Sequence, residues 1–213
     1  MIHLATKLPK TEMVVACSGG PDSLFLAQYL LNGNKKVKIA FFHHNTEAST
    51  LGEKAIEESN LTITYKKKLT ARKPKELSWE TFWSKERNQF FREVIQHTKC
   101  NLLTAHTLSD AVEWYLMTTF KNASHINKIM RTNNNGILRP LLYTRKEEIL
   151  RTLATDKYKH IKPYHDPENT SERYDRGFIR SQILPVLISR YPGIYSTVLK
   201  ALKAKSTQHG DCA

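Results

Sequence analysis

Through the first two-thirds of the chain, short apolar runs alternate with longer segments whose apolar residues recur at helical spacing. Met13-Val14-Val15-Ala16-Cys17 has strand length, and Pro21 to Leu31 predicts a helix that is apolar nearly all round. Val37 to Phe42 predicts a second strand, Glu53 to Ser59 a helix, and Leu61 to Tyr65 a third strand. A long helix over Ser78 to His97, a strand over Leu102 to Ala105 and a helix over Asp110 to Phe120 follow. In the last of these, Val112, Tyr115, Leu116, Thr119 and Phe120 form the expected apolar stripe. Strand and helix in alternation with short links imply βαβ crossovers and a parallel sheet covered on both faces. Ligands of such sheets bind beyond the carboxyl ends of the strands.

The pattern changes after the Asn133-Asn134-Asn135-Gly136 turn. Ile137 to Leu142 is extended, and Thr144 with Glu147 stands in capping-box register for a helix. A polar loop over Tyr164 to Tyr174 leads to helices around Phe178–Tyr191 and Ile194–Lys205. The expected organisation is therefore an α/β domain over 1–136, a mainly helical extension over 137–205, and a frayed tail over 206–213.

Composition narrows the class. The chain has 213 residues, 40% hydrophobic and 25% charged, which is globular rather than disordered composition. No run approaches the roughly 20 apolar residues of a membrane helix, and the first residues lack a secretory signal. A cytoplasmic address is the expectation. Cys17, Cys100 and Cys212 form no CxxC pair, so no local thiolate cluster motif is present, and Cys17 and Cys100 read as inert core thiols. The net charge of +13 favours polyanions, nucleic acid above membrane, since no lysine-rich amphipathic helix stands out.

Ser18-Gly19-Gly20-Pro21-Asp22-Ser23 joins an apolar strand to an apolar helix. Two glycines allow a sharp turn and a close approach of backbone N–H groups to an anion. Pro21 suits a first helical position, and the helix adds its positive end. Ser18 and Ser23 could donate hydroxyls, and Asp22 could hold a magnesium ion bridging phosphates. A plain strand-to-helix turn would also accept Gly-Gly-Pro.

A second polar cluster surrounds the fourth strand's end. Asp110 and Glu113 lie one helical turn apart, away from the apolar stripe, with His106 preceding them. Two carboxylates there could hold an ammonium or a metal; alternatively Asp110 caps the helix and Glu113 favours its first turn. On the long helix, Glu86 and Arg87 project from a face defined by Trp79, Phe82, Trp83, Phe90, Phe91 and Val94. A charge there needs a partner, either a neighbouring acid or an ATP phosphate facing Arg87.

SGGPDS resembles the PP-loop of the N-type ATP pyrophosphatases, and it is no Walker loop because the GKS/T ending is absent. Three further segments resemble one branch, the tRNA(Ile)-lysidine synthetases: LLTAHTLSDAVEWYLM at 102–117, ILRPLLYTRKEEI at 137–149 and DPENTSERYDRGFIRSQILPVL at 166–187. The resemblance implies a Rossmann-like catalytic domain in a short form, without the tRNA-binding domains of longer members. It implies adenylation of a wobble cytidine by ATP with Mg2+, then attack by free lysine, with tRNA as partner and a homodimer as an option. By carry-over, Ser18 to Ser23 hold the triphosphate and Asp22 the magnesium. His106, Asp110 and Glu113 line the lysine and cytidine site, and Arg87 faces the α-phosphate. Arg139, Arg176 and Arg180 serve substrate phosphates or remain surface charges.

The chain departs from the family pattern at His106-Thr107, Ser109 and His43-His44-Asn45, and on the long helix at Ser84 and Asn88. Two other readings stay open: another PP-loop tRNA modifier such as a thiolase, and a non-catalytic RNA-binding descendant. A free-standing amide-forming synthetase fits the basic charge less well.

Overall fold

The computed structural model describes residues 2–121, 129–167 and 175–208. Five parallel strands and one antiparallel edge strand form a sheet in the order β3-β2-β1-β4-β6-β5. They are β1 (Met13–Ala16), β2 (Val37–His43), β3 (Ile63–Lys68), β4 (Leu102–Leu103), β5 (Asn133–Asn134) and β6 (Ile137–Leu138). Only the β5–β6 pair is antiparallel. The helices are α1 (Pro21–Asn32), α2 (Glu47–Glu58), α3 (Trp79–Thr98), α4 (Leu108–Lys121), α5 (Lys146–Leu153), α6 (Asp175–Phe178), α7 (Leu184–Arg190) and α8 (Ile194–Gln208).

Each strand residue alternates between two cores, as the pleat requires. Met13, Val15 and Cys17, with Ile39, Phe41 and Leu103, pack beneath α1, α2 and α5. Val14, Ala40, Phe42 and Leu102 pack on the opposite face against Phe82, Phe90, Phe91 and Val94 of α3. The expected parallel sheet with helices on both faces is therefore present. A third cluster joins Ala111, Val112 and Leu116 of α4 to Leu184 of α7 and Tyr195, Val198 and Leu202 of α8. The segment after residue 136 is continuous with the sheet, because β6 pairs with β4 and Leu138, Leu141 and Ile149 join the first core.

Several local expectations need correction. Helix α2 starts at Glu47, six residues before the expected start, because Thr46 caps it by accepting the Ser49 N–H at 3.2 Å. Thr144 does not cap α5. It is fully buried and bonds His3, accepting its N–H at 3.1 Å and donating to its carbonyl at 2.9 Å. Ser109 Oγ receives the Lys146 N–H instead, at 3.2 Å, so one helix terminus is finished by another. On α4 the stripe ends at Leu116, and Phe120 is 64% exposed. Helix α8 runs past Lys205 to Gln208 and buries Ser206, so the expected tail begins too early. Residues 168–174 of the expected polar loop, and Cys212, lie outside the described residues.

Between α6 and α7 the chain makes a π-helical turn at Ile179–Ile183. Pro185 follows, with no N–H to continue an ordinary α ladder. Among the described residues no helix is long and apolar enough to cross a membrane.

Candidate functional site

All five parallel strands point their carboxyl ends at one rim, and every candidate residue hangs from it or from the helices behind it. The loop at 18–23 follows β1, His44 follows β2, His106 follows β4, and Arg139 follows β6.

Gly19 takes φ +81°, a left-handed conformation that side chains rarely adopt. A Cβ there would lie 2.1 Å from the Gly52 carbonyl oxygen, and a Cβ on Gly52 would lie 2.4 Å from the Ser18 carbonyl oxygen. Loop and α2 thus meet backbone to backbone. Gly20 is different: a Cβ there would meet nothing nearer than Ser18 Oγ at 3.5 Å. Protein packing does not require that glycine, which leaves the start of α1 clear for an incoming group.

Ser23 is buried and turned into the loop. Its hydroxyl accepts the Ser18 N–H at 3.1 Å and donates to the Gly20 carbonyl at 3.0 Å. It shapes the cradle, whereas Ser18 remains exposed at the rim.

Asp22 lies in the first turn of α1 with its side chain 21% exposed. Its Oδ2 is 3.4 Å from Lys146 Nζ, while its buried Oδ1 has no partner. Burial raises the carboxyl above its usual range, Lys146 opposes that rise, and Asp110 adds to it. A carboxylate oxygen with no partner, at a helix start suited to phosphate, fits a magnesium ion shared with a polyphosphate. Among the described residues no group of three His, Cys, Asp or Glu could hold a metal alone, so phosphates and water would complete the shell. Lys146 was not singled out in the sequence. Only the fold, by bringing the start of α5 to the start of α1, gives it a role.

Asp110 and Glu113 do not stand free. Arg176 reaches both, through Nη2 to Asp110 Oδ1 and through Nε to Glu113 Oε2 at 2.8 Å. Arg180 places Nε 2.7 Å from Glu113 Oε1 and Nη2 2.8 Å from Oε2. Asp110 Oδ2 also accepts the Thr107 N–H and hydroxyl at 2.6 and 2.8 Å. Thr107 accepts the Asp110 N–H in return, at 3.3 Å, so Thr107 is the cap and Asp110 its reciprocal partner. Burial would raise the Asp110 carboxyl, but Arg176, His106 and Thr107 together hold it below its usual range. The two acids expected to wait for an ammonium are already matched by two guanidinium groups. The two arginines expected at substrate phosphates are the groups that match them.

A cavity of about 710 Å3 opens beside this cluster, lined by His44, Trp83, Arg87, His106, Asp110, Trp114, Arg139 and Arg176 among others. Five cations line it (Arg87, Arg131, Arg139, Arg176 and Lys205) against Glu80 and Asp110. Among the described residues Arg87 forms no ion pair; burial, with Arg176 nearby, lowers its pKa, and Glu80 opposes that. His106 bonds Thr104 Oγ1 through Nδ1 at 2.9 Å, and burial lowers its pKa to about 4. Arg139 donates from Nη1 to the Arg131 carbonyl at 2.8 Å. Three lining side chains hold a buried polar atom without a partner: His44 Nδ1, Trp83 Nε1 and Arg139 Nε. Such atoms in an aromatic, cationic cavity suit a polar, anionic ligand with a flat face. The loop at 18–23 is not part of the lining, and Asp110 stands between the two compartments, close enough to Asp22 to perturb it.

Comparison with known proteins agrees with this geometry. The sequence profile of the family described as PP-loop domain matches residues 1–187. A tRNA(Ile)-lysidine synthase of Helicobacter pylori is 31% identical over 193 residues, 86% of this chain and 55% of that protein. The enzyme of the same description from Francisella philomiragia is 27% identical over 202 residues, 91% of this chain and 50% of that one. The chain spans about half the length of the curated relatives it matches. Among solved structures, the U34-tRNA thiolase NcsA from Methanococcus maripaludis, with its [4Fe-4S] cluster, superposes with a TM-score of 0.69 at 20% identity. That match covers 91% of this chain and 71% of the thiolase.

Proposed function

Because the chain belongs to the PP-loop domain family, we propose that it binds ATP at the loop Ser18–Ser23 and adenylates a base of a tRNA. The finer reading is lysidine formation. The C2 oxygen of a wobble cytidine attacks the α-phosphorus of ATP and pyrophosphate leaves. The amine of free lysine then attacks C2, and AMP departs with the former base oxygen.

The observation that carries this reading is the pairing of two unlike compartments. One is a glycine cradle at a helix start with a partnerless carboxylate oxygen. The other is an aromatic and cationic cavity, and both adjoin Asp110. The first suits a polyphosphate, the second a nucleotide held by its face and its phosphate.

Asp22 would hold a magnesium ion, whose positive charge would offset that of the polyphosphate and of the departing pyrophosphate. Lys146, already at Asp22, would take the outer phosphates. Arg87 and Arg139, turned into the cavity, would stabilise charge growing on the α-phosphate or hold the flanking RNA phosphate. His106, neutral at physiological pH, can accept or donate a hydrogen bond to the base but brings no charge. Lysine would be held by Glu113 or Asp110 only after an arginine turns away from it, and of the two acids Asp110 is the one that lines the cavity.

The thiolase reading has less support. Cys17 is buried in the first core at the carboxyl end of β1, and Cys100 precedes β4 at the opposite end of the sheet.

The test is AMP formation from ATP with tRNA and lysine supplied together, singly or not at all. AMP that needs both supports lysidine formation. AMP with tRNA alone keeps adenylation and removes lysine. Protein that binds tRNA yet forms no AMP is a non-catalytic descendant.

A further inference from the structure

The reaction just described explains the rim from β1 to β6 but leaves its remaining corner, after β3, unused. There the sequence reads Lys68-Leu69-Thr70-Ala71-Arg72-Lys73-Pro74-Lys75, then Glu76 and, at the start of α3, Trp79 and Glu80. Lys66 and Lys67, just before it, are matched by Glu53 and Glu93. Lys68, Arg72 and Lys75 are exposed, and among the described residues they form no ion pair.

The segment is tied down at several points. The Leu69 N–H donates to the His43 carbonyl at 2.8 Å, and the Leu69 side chain is buried. Lys73 Nζ donates to the carbonyls of Pro74 and Leu77 at 2.9 and 2.7 Å. Ser78 caps α3 by accepting the Thr81 N–H at 3.2 Å. Fixed in this way, the segment carries its exposed cations on an anchored stretch of backbone that leads to α3.

That path ends on an aromatic ledge. Trp79 is 49% exposed, with Lys73 Nζ 5.5 Å from its ring centre. Its ring lies 5.5 Å from that of Trp83, which lines the cavity. One side of Trp79 packs on Trp83 and Phe82 and the other half stays open, and a row of cations leading to a stacking face is how proteins hold unpaired nucleic-acid strands.

We propose that the strip from Lys68 to Trp79 is the rail for the single-stranded RNA that flanks the nucleotide in the cavity, with Lys68, Arg72 and Lys75 on its phosphates and Trp79 stacked on a neighbouring base. This rests on the reading of the substrate as RNA. It adds a second, separable surface to that reading, one that selects an unpaired loop over a duplex because only unpaired bases offer a free face to stack.

The experiment is RNA binding measured against salt for three proteins: wild type, K68Q/R72Q/K75Q and W79A. The probe is an anticodon stem-loop, with a DNA duplex as the control. The triple variant is expected to flatten the dependence of log K on log salt by about 2, near 0.7 per lost phosphate contact. W79A is expected to bind about tenfold more weakly with its salt slope unchanged. Both should keep the wild-type affinity for ATP with magnesium, since neither touches the loop at 18–23, and the triple variant its melting temperature. W79A should stay folded with a melting temperature lowered by the lost packing on Trp83 and Phe82. If wild type binds the stem-loop and both variants match it in affinity and slope, the strip is not the rail. Equal weakening towards the DNA duplex also overturns it, because charge alone would then be read. A wild type that binds no RNA removes the substrate reading itself, a distinct result.

Discussion

Arg180 grips Glu113 with two nitrogens at once, Nε at 2.7 Å from Oε1 and Nη2 at 2.8 Å from Oε2, across 67 residues of chain. Glu113 is 3% exposed, so this pair joins α4 to the π-helical turn in a setting where water screens little. The Glu113 contact of Arg176 adds a second cation to the same carboxylate.

Replacing Glu113 by Gln therefore takes from Arg180 the carboxylate it holds with two nitrogens, while Arg176 keeps Asp110. Breaking a buried pair from one side costs about 3–5 kcal/mol, and the melting temperature should fall by several degrees. Adding R180M to E113Q should recover part of the loss, because the orphaned cation goes with it. A thermal melt of the two single variants and the double checks this. Additive losses would mean that the pair is not coupled.

Asp22→Asn is expected to abolish pyrophosphate release by removing the charge proposed to hold magnesium, while the fold stays intact. Lys146→Met should raise the Kd for ATP about tenfold or more, the scale of one charge-assisted contact. Lys146→Arg should restore most of it. Titrating ATP with magnesium into each protein, without tRNA, reads the effect directly. A K146M protein with wild-type affinity would leave Lys146 a structural partner of Asp22 and nothing more.

The two glycines of the loop should fail in different ways. Gly19→Ala meets both a left-handed φ and a backbone oxygen, so it should lower the yield of folded protein or its melting temperature markedly. Gly20→Ala finds ordinary contact distance and should melt as wild type does, yet bind ATP poorly because its methyl enters the phosphate space. Circular dichroism with a nucleotide titration separates the two. Tight ATP binding by G20A would move the nucleotide elsewhere.

Acid should destabilise the fold through two histidines. His44 and His106 are each lowered to about 4, chiefly by burial, with Arg87 and then His43 adding to it at His44. In the unfolded chain each protonates near 6.5, so the unfolded state takes up protons first as pH falls. The stability from keeping them neutral is thus complete above about pH 6.5 and declines from there to about pH 4. At pH 5 each contributes up to about 2 kcal/mol of the loss. Urea unfolding at pH 7.5 and 5 measures the drop, and His106→Gln should lessen it.

The sheet was legible because parallel strands buried on both faces leave continuous apolar runs, as at Met13–Cys17 and Val37–Phe42. The cradle was legible because its residues are adjacent in the chain. Helix α2 began early and unseen, since Glu47 to Gly52 carries little apolar periodicity and its cap, Thr46, sits in a polar stretch. Arg176 and Arg180 were expected at substrate phosphates or the surface, because which acids they meet depends on how α4 packs against α6 and the π-helical turn. Lys146 was invisible for the same reason. A residue whose meaning comes from a neighbour far away in the chain has no local signature, and His44, Trp83 and the strip after β3 belong with it.

The contact between Gly19 and Gly52 ties two positions into one for the purpose of variation. Gly52 sits on the flank of a helix, distant in sequence from the loop, and a survey of substitutions would class it as scaffold. Any side chain there would press on the Ser18 carbonyl, so its changes will be scored as losses at the loop proposed to hold the nucleotide. Neither glycine can drift unless the other's helix or loop has moved first, which makes the pair a marker of how far a descendant of this fold has travelled.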